Sequence, residues 1–74
     1  MPTIHDAIDE FLLRDFRTLS KNDLADSLRI GYNLESGLFT MTQTALVSPL
    51  YYNEASARLS KRLSEMTSVL RTYY

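Results

Sequence analysis

The feature that most constrains this chain is a stretch after residue 47 in which apolar side chains recur at alternating steps of three and four residues. Ser48 and Pro49 open the stretch, because serine caps a helix and proline fits its first position without losing a hydrogen bond. The recurring side chains, interrupted by Ser56, are Tyr52, Leu59, Leu63, Met66, Leu70 and Tyr73. This is the spacing of a coiled-coil seam. The pattern predicts one helix from Pro49 to Tyr73, about 37 Å long at about 1.5 Å per residue.

Such a helix is longer than the diameter expected of a 74-residue domain. Part of it must therefore overhang or pair with another surface. The candidate self-association residues are Leu59, Leu63, Met66 and Leu70. They fit two alternatives, packing against the first helix of the same chain or against the same helix of a second copy. The spacing leaves both open.

The N-terminal part predicts a second amphipathic helix that starts at the capping pair Thr3 and Asp6 and ends near Leu19. Its apolar arc contains Ile4, Ala7, Ile8, Phe11, Leu12, Phe16 and Leu19. Asp15 falls within this arc, where an unpaired carboxylate is costly to bury. The interpretation is that the helix bends or that the side chain reaches its edge. A less favoured alternative is that the carboxylate pairs with Arg58, Arg62 or Arg71 across the fold.

The middle of the chain supports two interpretations. Ser20 and Asp23 repeat the capping pattern and predict a short helix that Gly31 ends. From Asn33 to Val47 the positions of the leucines favour a third helix, whereas the threonines favour strands of a short β-hairpin near residues 30–42. The helix is preferred. The predicted fold is mainly α, a single compact domain over residues 1–74 with three or four helices.

Residue types exclude several kinds of chemistry. The chain has no cysteine, one histidine and two glycines. Disulfides and thiolate sites are therefore excluded, and His5 alone cannot make a zinc site. Gly31 and Gly37 cannot build a phosphate-binding loop. We expect no metal, no cofactor and no catalytic site, and hence not an enzyme.

The expected location is the cytoplasm. The first 13 residues carry His5, Asp6, Asp9 and Glu10 and so lack the basic and apolar regions of a signal peptide. No apolar run reaches the roughly 20 residues of a membrane span, so no membrane contact is expected.

The charge distribution favours a protein as the partner. The net charge of −1 argues against a strong general affinity for nucleic acid. Tyrosines are enriched at protein interfaces, and charged residues guide encounter. The expected partner-binding residues are Asp9, Glu10, Tyr51, Tyr52, Arg58, Lys61 and Arg62. The sequence thus predicts a small protein-binding module that acts as an adaptor, a chaperone subunit or an inhibitor, including inhibitors encoded by bacteriophages.

The alternative function is a homodimeric DNA-binding regulator. Asp23 to Gly31 has the leucine–alanine spacing and closing glycine of the first helix of a helix-turn-helix. The following segment, Tyr32 to Phe39, contains Glu35 and no arginine or lysine. A recognition helix needs such side chains for phosphate and base contacts. We therefore prefer protein binding, and DNA binding is the alternative.

Overall fold

A computed structural model describes residues 3–73 and shows a helical protein. The α-helices are α1 (Ile4–Leu13), α2 (Lys21–Gln43) and α3 (Pro49–Arg71), and a short 3-10 turn covers Phe16–Thr18. Within residues 3–73 there is no strand. The mainly helical fold is therefore confirmed, while the β-hairpin near residues 30–42 and the fourth helix are wrong. None of the helices in the described part is long and apolar enough to cross a membrane.

The first helix ends earlier than predicted. Thr3 and Asp6 form the expected capping box at its start. The helix stops at Leu13, however, and Asp15 then caps the 3-10 turn by accepting a hydrogen bond from the Arg17 amide at 3.1 Å. This turn buries Phe16 while leaving Asp15 exposed. The carboxylate therefore never enters the apolar arc, since the chain bends before it.

The second helix runs straight through Gly31, where the sequence predicted a stop. Gly31 is buried against Phe11 of α1 and Leu63 of α3. A Cβ atom at this position would overlap Leu63 Cδ2 and lie 2.7 Å from Phe11 Cζ. Glycine here permits close packing of helices instead of ending one. The predicted helix over residues 33–47 is the second half of α2 and ends at Gln43.

The threonines that favoured strand are accommodated inside α2. Thr40 and Thr42 donate their hydroxyls to the carbonyls of Ser36 and Leu38, at 3.1 and 2.9 Å. These bonds to the preceding turn satisfy the hydroxyls within the helix. Ala45 then adopts φ 62° and reverses the chain, which places Ser48 to cap α3 through the Tyr51 amide at 3.1 Å.

The long C-terminal helix is confirmed and packs antiparallel to α2. Phe39 contacts Tyr52 near the loop, and Gly31 contacts Leu63 farther along the pair. The buried apolar core consists of Ile8, Phe11, Phe16, Leu24, Leu38, Val47, Ala55, Leu59, Leu63 and Met66. The molecule measures 40 × 23 × 16 Å, and its radius of gyration is 12.8 Å. That exceeds the about 11 Å expected for this length, because the helix pair is flat and elongated.

Substitution of the two glycines of α2 tests the packing argument. We expect Gly31→Ala to destabilise the fold by about 1–3 kcal/mol, although alanine favours helix, because its Cβ overlaps a packed core. Gly37→Ala is the matched control, since its Cβ would lie 3.6 Å from Ile4 Cδ1, an ordinary contact. It should stabilise the helix by up to about 1 kcal/mol. Urea unfolding followed by circular dichroism measures both, and stabilisation by both substitutions contradicts the close contact.

Candidate functional site

A groove runs between α2 and α3, and side chains of these two helices alone line its two cavities. The first cavity, about 380 Å³, is lined by Tyr32, Glu35, Ser36, Phe39, Thr40 and Tyr52. The second cavity, about 360 Å³, is lined by Tyr32, Glu35, Ser60, Leu63, Ser64, Thr67, Ser68 and Arg71. Tyr32 and Glu35 belong to both, so the cavities adjoin. We call this surface the α2/α3 groove.

Aromatic side chains dominate the end of the groove near the loop. Tyr32 is 56% exposed and Phe39 is 52% exposed. Tyr52 is half-buried and meets the Phe39 ring edge-on, with 6.2 Å between ring centroids. Aromatic rings placed side by side on a small monomer offer a large apolar area to a partner. The groove can therefore bury apolar side chains of a second molecule.

The threonine hydroxyls of the groove already have partners. Thr67 donates to the Leu63 carbonyl at 2.8 Å, and Thr40 donates to the Ser36 carbonyl at 3.1 Å. Covering these groups leaves no hydroxyl proton without an acceptor, so the desolvation cost is small. Glu35 differs, because its half-buried carboxylate makes no hydrogen bond or ion pair with another residue among 3–73.

The two adjacent tyrosines of α3 face different neighbours. Tyr52 lines the groove, whereas the Tyr51 ring packs on His5 of α1, with 4.2 Å between ring centroids. Burial raises the pKa of the Tyr51 phenol, the nearby carboxylates of Asp9 and Asp6 raise it further, and Arg58 partly offsets this. Tyr51 therefore belongs to the contact between α1 and α3.

The predicted basic residues lie outside the groove. Arg58, Lys61 and Arg62 line a separate cavity of about 250 Å³ together with Leu12 and Glu65. Arg62 Nη2 donates to the Leu12 carbonyl at 2.7 Å, and the guanidinium lies over the Phe16 ring at 5.2 Å. A carbonyl in the last turn of α1 has no partner within its own helix. Arg62 therefore supplies that partner and fastens α1 to α3.

The predicted acidic residues also lie outside the groove. Asp9 and Glu10 are exposed on α1, and Glu10 lies 3.9 Å from Arg14 one turn later. Of all the predicted partner-binding residues, Tyr52 is the one that lines the α2/α3 groove. Its other lining residues were missed, because the sequence divided α2 at Gly31. A single helix through Gly31 would have placed Tyr32, Glu35 and Phe39 along one edge at spacings of three and four.

The predicted self-association seam lies inside the monomer. Leu59, Leu63 and Met66 are buried in the core, and the half-buried Leu70 packs against it. This is the arrangement of the intramolecular alternative, in which the seam packs on other helices of the same chain. Self-association of the chain stays a prediction, and these buried side chains are not surface residues in the monomer.

Two further features limit the chemistry of the molecule. Within residues 3–73 no group of three or more histidine, aspartate or glutamate side chains could hold a metal ion. The continuity of α2 through Gly31 also removes the turn on which the helix-turn-helix interpretation rested. Comparisons with protein-family models, with curated proteins and with solved structures give no match.

The role of Arg62 predicts a difference between two neighbouring basic residues. Arg62→Ala should lower the free energy of unfolding by about 1–3 kcal/mol, because it leaves a partly buried carbonyl without a donor and removes a cation–π contact. Lys61→Ala alters an exposed side chain and should change the free energy of unfolding by less than about 0.5 kcal/mol. Urea unfolding compares the two variants. Equally small losses of unfolding free energy would contradict a structural role for Arg62.

The environment of Tyr51 predicts a loss of stability at high pH. Because the pKa is higher in the folded protein than in the unfolded chain, folding favours the protonated phenol. The stabilisation that this raised pKa provides is fully present below about pH 10, the pKa in the unfolded chain. It is lost as pH rises through the pKa of the folded protein. Tyr51→Phe should therefore lose less stability than the wild type between about pH 8 and pH 11. Unfolding at several pH values measures this, and identical declines contradict it.

Proposed function

We propose that this chain is a non-enzymatic protein-binding module that docks on a larger protein through the α2/α3 groove. The observation that carries the proposal is the open row of aromatic side chains at Tyr32, Phe39 and Tyr52. Aromatic residues lying together in a groove are typical anchors of protein interfaces. An adaptor, a chaperone subunit and an inhibitor, including one encoded by a bacteriophage, all share this docking step.

The dimensions of the molecule support a protein as the partner. Its broad face measures 40 by 23 Å. A stable protein interface covers about 800 Å² on each partner, which a face of this size can provide. The lack of cysteine is in keeping with a cytoplasmic partner.

The charges of the groove favour this function over catalysis and DNA binding. Glu35 and Arg71 are the charged side chains that line it. General acid–base catalysis needs a second suitably placed group near such a carboxylate, and phosphate binding needs several cations. Arg58 and Lys61, which a DNA-binding regulator would use, line a different cavity.

Site-specific photo-crosslinking in the cells that express the protein tests this function. The photoreactive residue p-benzoylphenylalanine replaces Phe39 in the groove, Lys61 in the basic cavity or Asn33 on an exposed part of α2. We expect one discrete crosslinked protein from position 39 and none from position 33. Crosslinking from position 61 alone would move the interface to the basic cavity, and no protein adduct at any position would contradict protein binding.

The crosslinked protein, once purified, permits a quantitative check by calorimetry. Phe39→Ala should weaken binding by at least about tenfold, since loss of a central aromatic anchor costs about 2 kcal/mol or more. Leu13→Ala is the matched control, because Leu13 is 86% exposed and lies on α1. Equal affinity for the two variants would contradict docking through the groove.

A further inference from the structure

The two helices of the groove are joined at an end that is built from uncharged residues. Residues 36–53, which form the last two turns of α2, the connecting loop and the first turn of α3, contain no aspartate, glutamate, lysine, arginine or histidine. All eight basic and nine acidic side chains of the chain lie elsewhere in the sequence. Because α2 and α3 are antiparallel, these residues fold back on one another at one end of the molecule. We call them the loop end.

Three large apolar side chains of the loop end are exposed. Leu46 in the loop is 71% exposed, Leu50 in the first turn of α3 is 70% exposed, and Phe39 of α2 is 52% exposed. A single exposed leucine is ordinary on a protein surface. Apolar and aromatic side chains that lie together where charged residues are absent have the composition of the core of a protein interface. The loop end is therefore composed like a surface that a partner covers.

The backbone amides of the loop can lose water at small cost. Loops usually stay in water because their amides need hydrogen-bond acceptors. Here the amides of residues 44–47 all donate to carbonyls in the last turn of α2, at 2.9–3.3 Å. The hydroxyls of Thr40, Thr42 and Thr44 also donate to carbonyls of α2 three or four residues earlier. A partner that covers the loop therefore leaves none of these donors without an acceptor.

The size of the loop end limits the shape of what covers it. The two shorter dimensions of the molecule are 23 and 16 Å. A flat surface placed across the end covers less than half of the about 800 Å² per partner that a stable interface needs, and end-to-end contact between two copies is such an arrangement. A concave surface also covers the sides of the end, where Phe39 and Tyr52 lie. The occupant is therefore a pocket that receives the loop end.

The charges that border the loop end favour a protein over a lipid surface. Glu35 and Glu54 bound the uncharged residues in the sequence, and Asp6, Asp9 and Arg58 lie beside the first turn of α3. Most of these charges are acidic. Short apolar segments that bind membranes are usually helped by lysine and arginine, which attract anionic lipids. Carboxylates oppose that attraction, whereas they can stay in water at the mouth of a protein pocket.

We infer that the loop end inserts into an uncharged, apolar pocket of the partner protein, with Leu46 and Leu50 in the pocket and Phe39 and Tyr52 against its wall. This rests on the proposed function and adds the shape and chemistry of the partner surface. Burial of the leucines supplies affinity in proportion to the apolar area removed from water. Since no ion pair forms within the pocket, the affinity depends little on salt.

Photo-crosslinking from the two leucines tests the inference in cells that express the protein. p-Benzoylphenylalanine replaces Leu46, Leu50 or the control Leu13, which is 86% exposed on α1. We expect positions 46 and 50 to crosslink the same protein as position 39, and position 13 to crosslink none. Mass spectrometry of the adducts should place the crosslinks on uncharged, apolar residues of one pocket of that protein.

Affinity measurements with the purified partner give the size of the effect. Leu46→Ala and Leu50→Ala should each weaken binding about tenfold, because each removes apolar area from the contact. Leu50→Asp should weaken it about a hundredfold, since the pocket offers a carboxylate no partner. Aspartate is compatible with the first turn of a helix, so this variant should still fold, and circular dichroism checks that it does. Leu13→Asp is the matched control and should change the Kd less than about twofold.

The salt dependence of the wild-type affinity is a further check on the uncharged pocket. Raising NaCl from about 0.1 M to about 1 M should change the Kd less than about threefold, because screening acts on charges and not on apolar contacts. Binding that weakens steeply over this range would contradict the inference.

Four other outcomes overturn the inference. Crosslinking from position 39 with none from positions 46 and 50, or crosslinks to a charged partner surface, keeps the proposed function and refutes the inference. The absence of adducts at positions 39, 46 and 50 refutes both the groove and the loop end as docking surfaces. Co-sedimentation with phosphatidylcholine vesicles, with or without phosphatidylserine, that Leu50→Asp abolishes assigns the loop end to lipid. A dimer in light scattering that Leu50→Asp dissociates assigns it to a second copy.

Discussion

The close approach of three helices at Gly31 is the contact on which the rest of the structure depends. Phe11 of α1 and Leu63 of α3 both occupy space that a side chain at this position would need. The contact therefore sets how near α3 lies to α2 and which side of the pair α1 covers. With only 10 residues, α1 extends about 15 Å, whereas α2 and α3 have 23 residues each and extend about 35 Å. The short helix thus covers one side of the pair and leaves the α2/α3 groove open on another.

Side chains that cap helices define the start of every helical segment around this contact. Thr3, Asp15, Ser20 and Ser48 each accept a hydrogen bond from a backbone amide two or three residues later. Capping is a local interaction between near neighbours, so three of these starts could be predicted from the sequence alone. Gly31 shows why the helix ends were harder to predict. A glycine that ends a helix and a glycine that admits a neighbouring helix look the same until the neighbour is known.

The candidate site could be predicted less well than the fold, because its members are joined by packing and not by sequence distance. Tyr51 and Tyr52 are adjacent, but successive helical positions differ by about 100° in direction, so one packs on α1 and the other lines the groove. Arg62 was predicted to contact a partner because it is charged. Its guanidinium instead donates a hydrogen bond to a carbonyl of α1. Tyr32 and Phe39 lie on one edge of a single helix. The sequence could not show this once α2 was predicted to end at Gly31.

The side chains that line the α2/α3 groove differ in what it costs to remove water from them. The hydroxyls of Thr40 and Thr67 donate to carbonyls of their own helices, so covering these two groups costs little. Glu35 and Arg71 are the charged side chains of the groove, and their charges matter little while water surrounds them. Once a partner excludes that water, the electrostatic interaction strengthens as the local dielectric falls. A partner docked over Phe39 and Tyr52 would therefore raise the penalty for a like charge placed opposite Glu35 or Arg71.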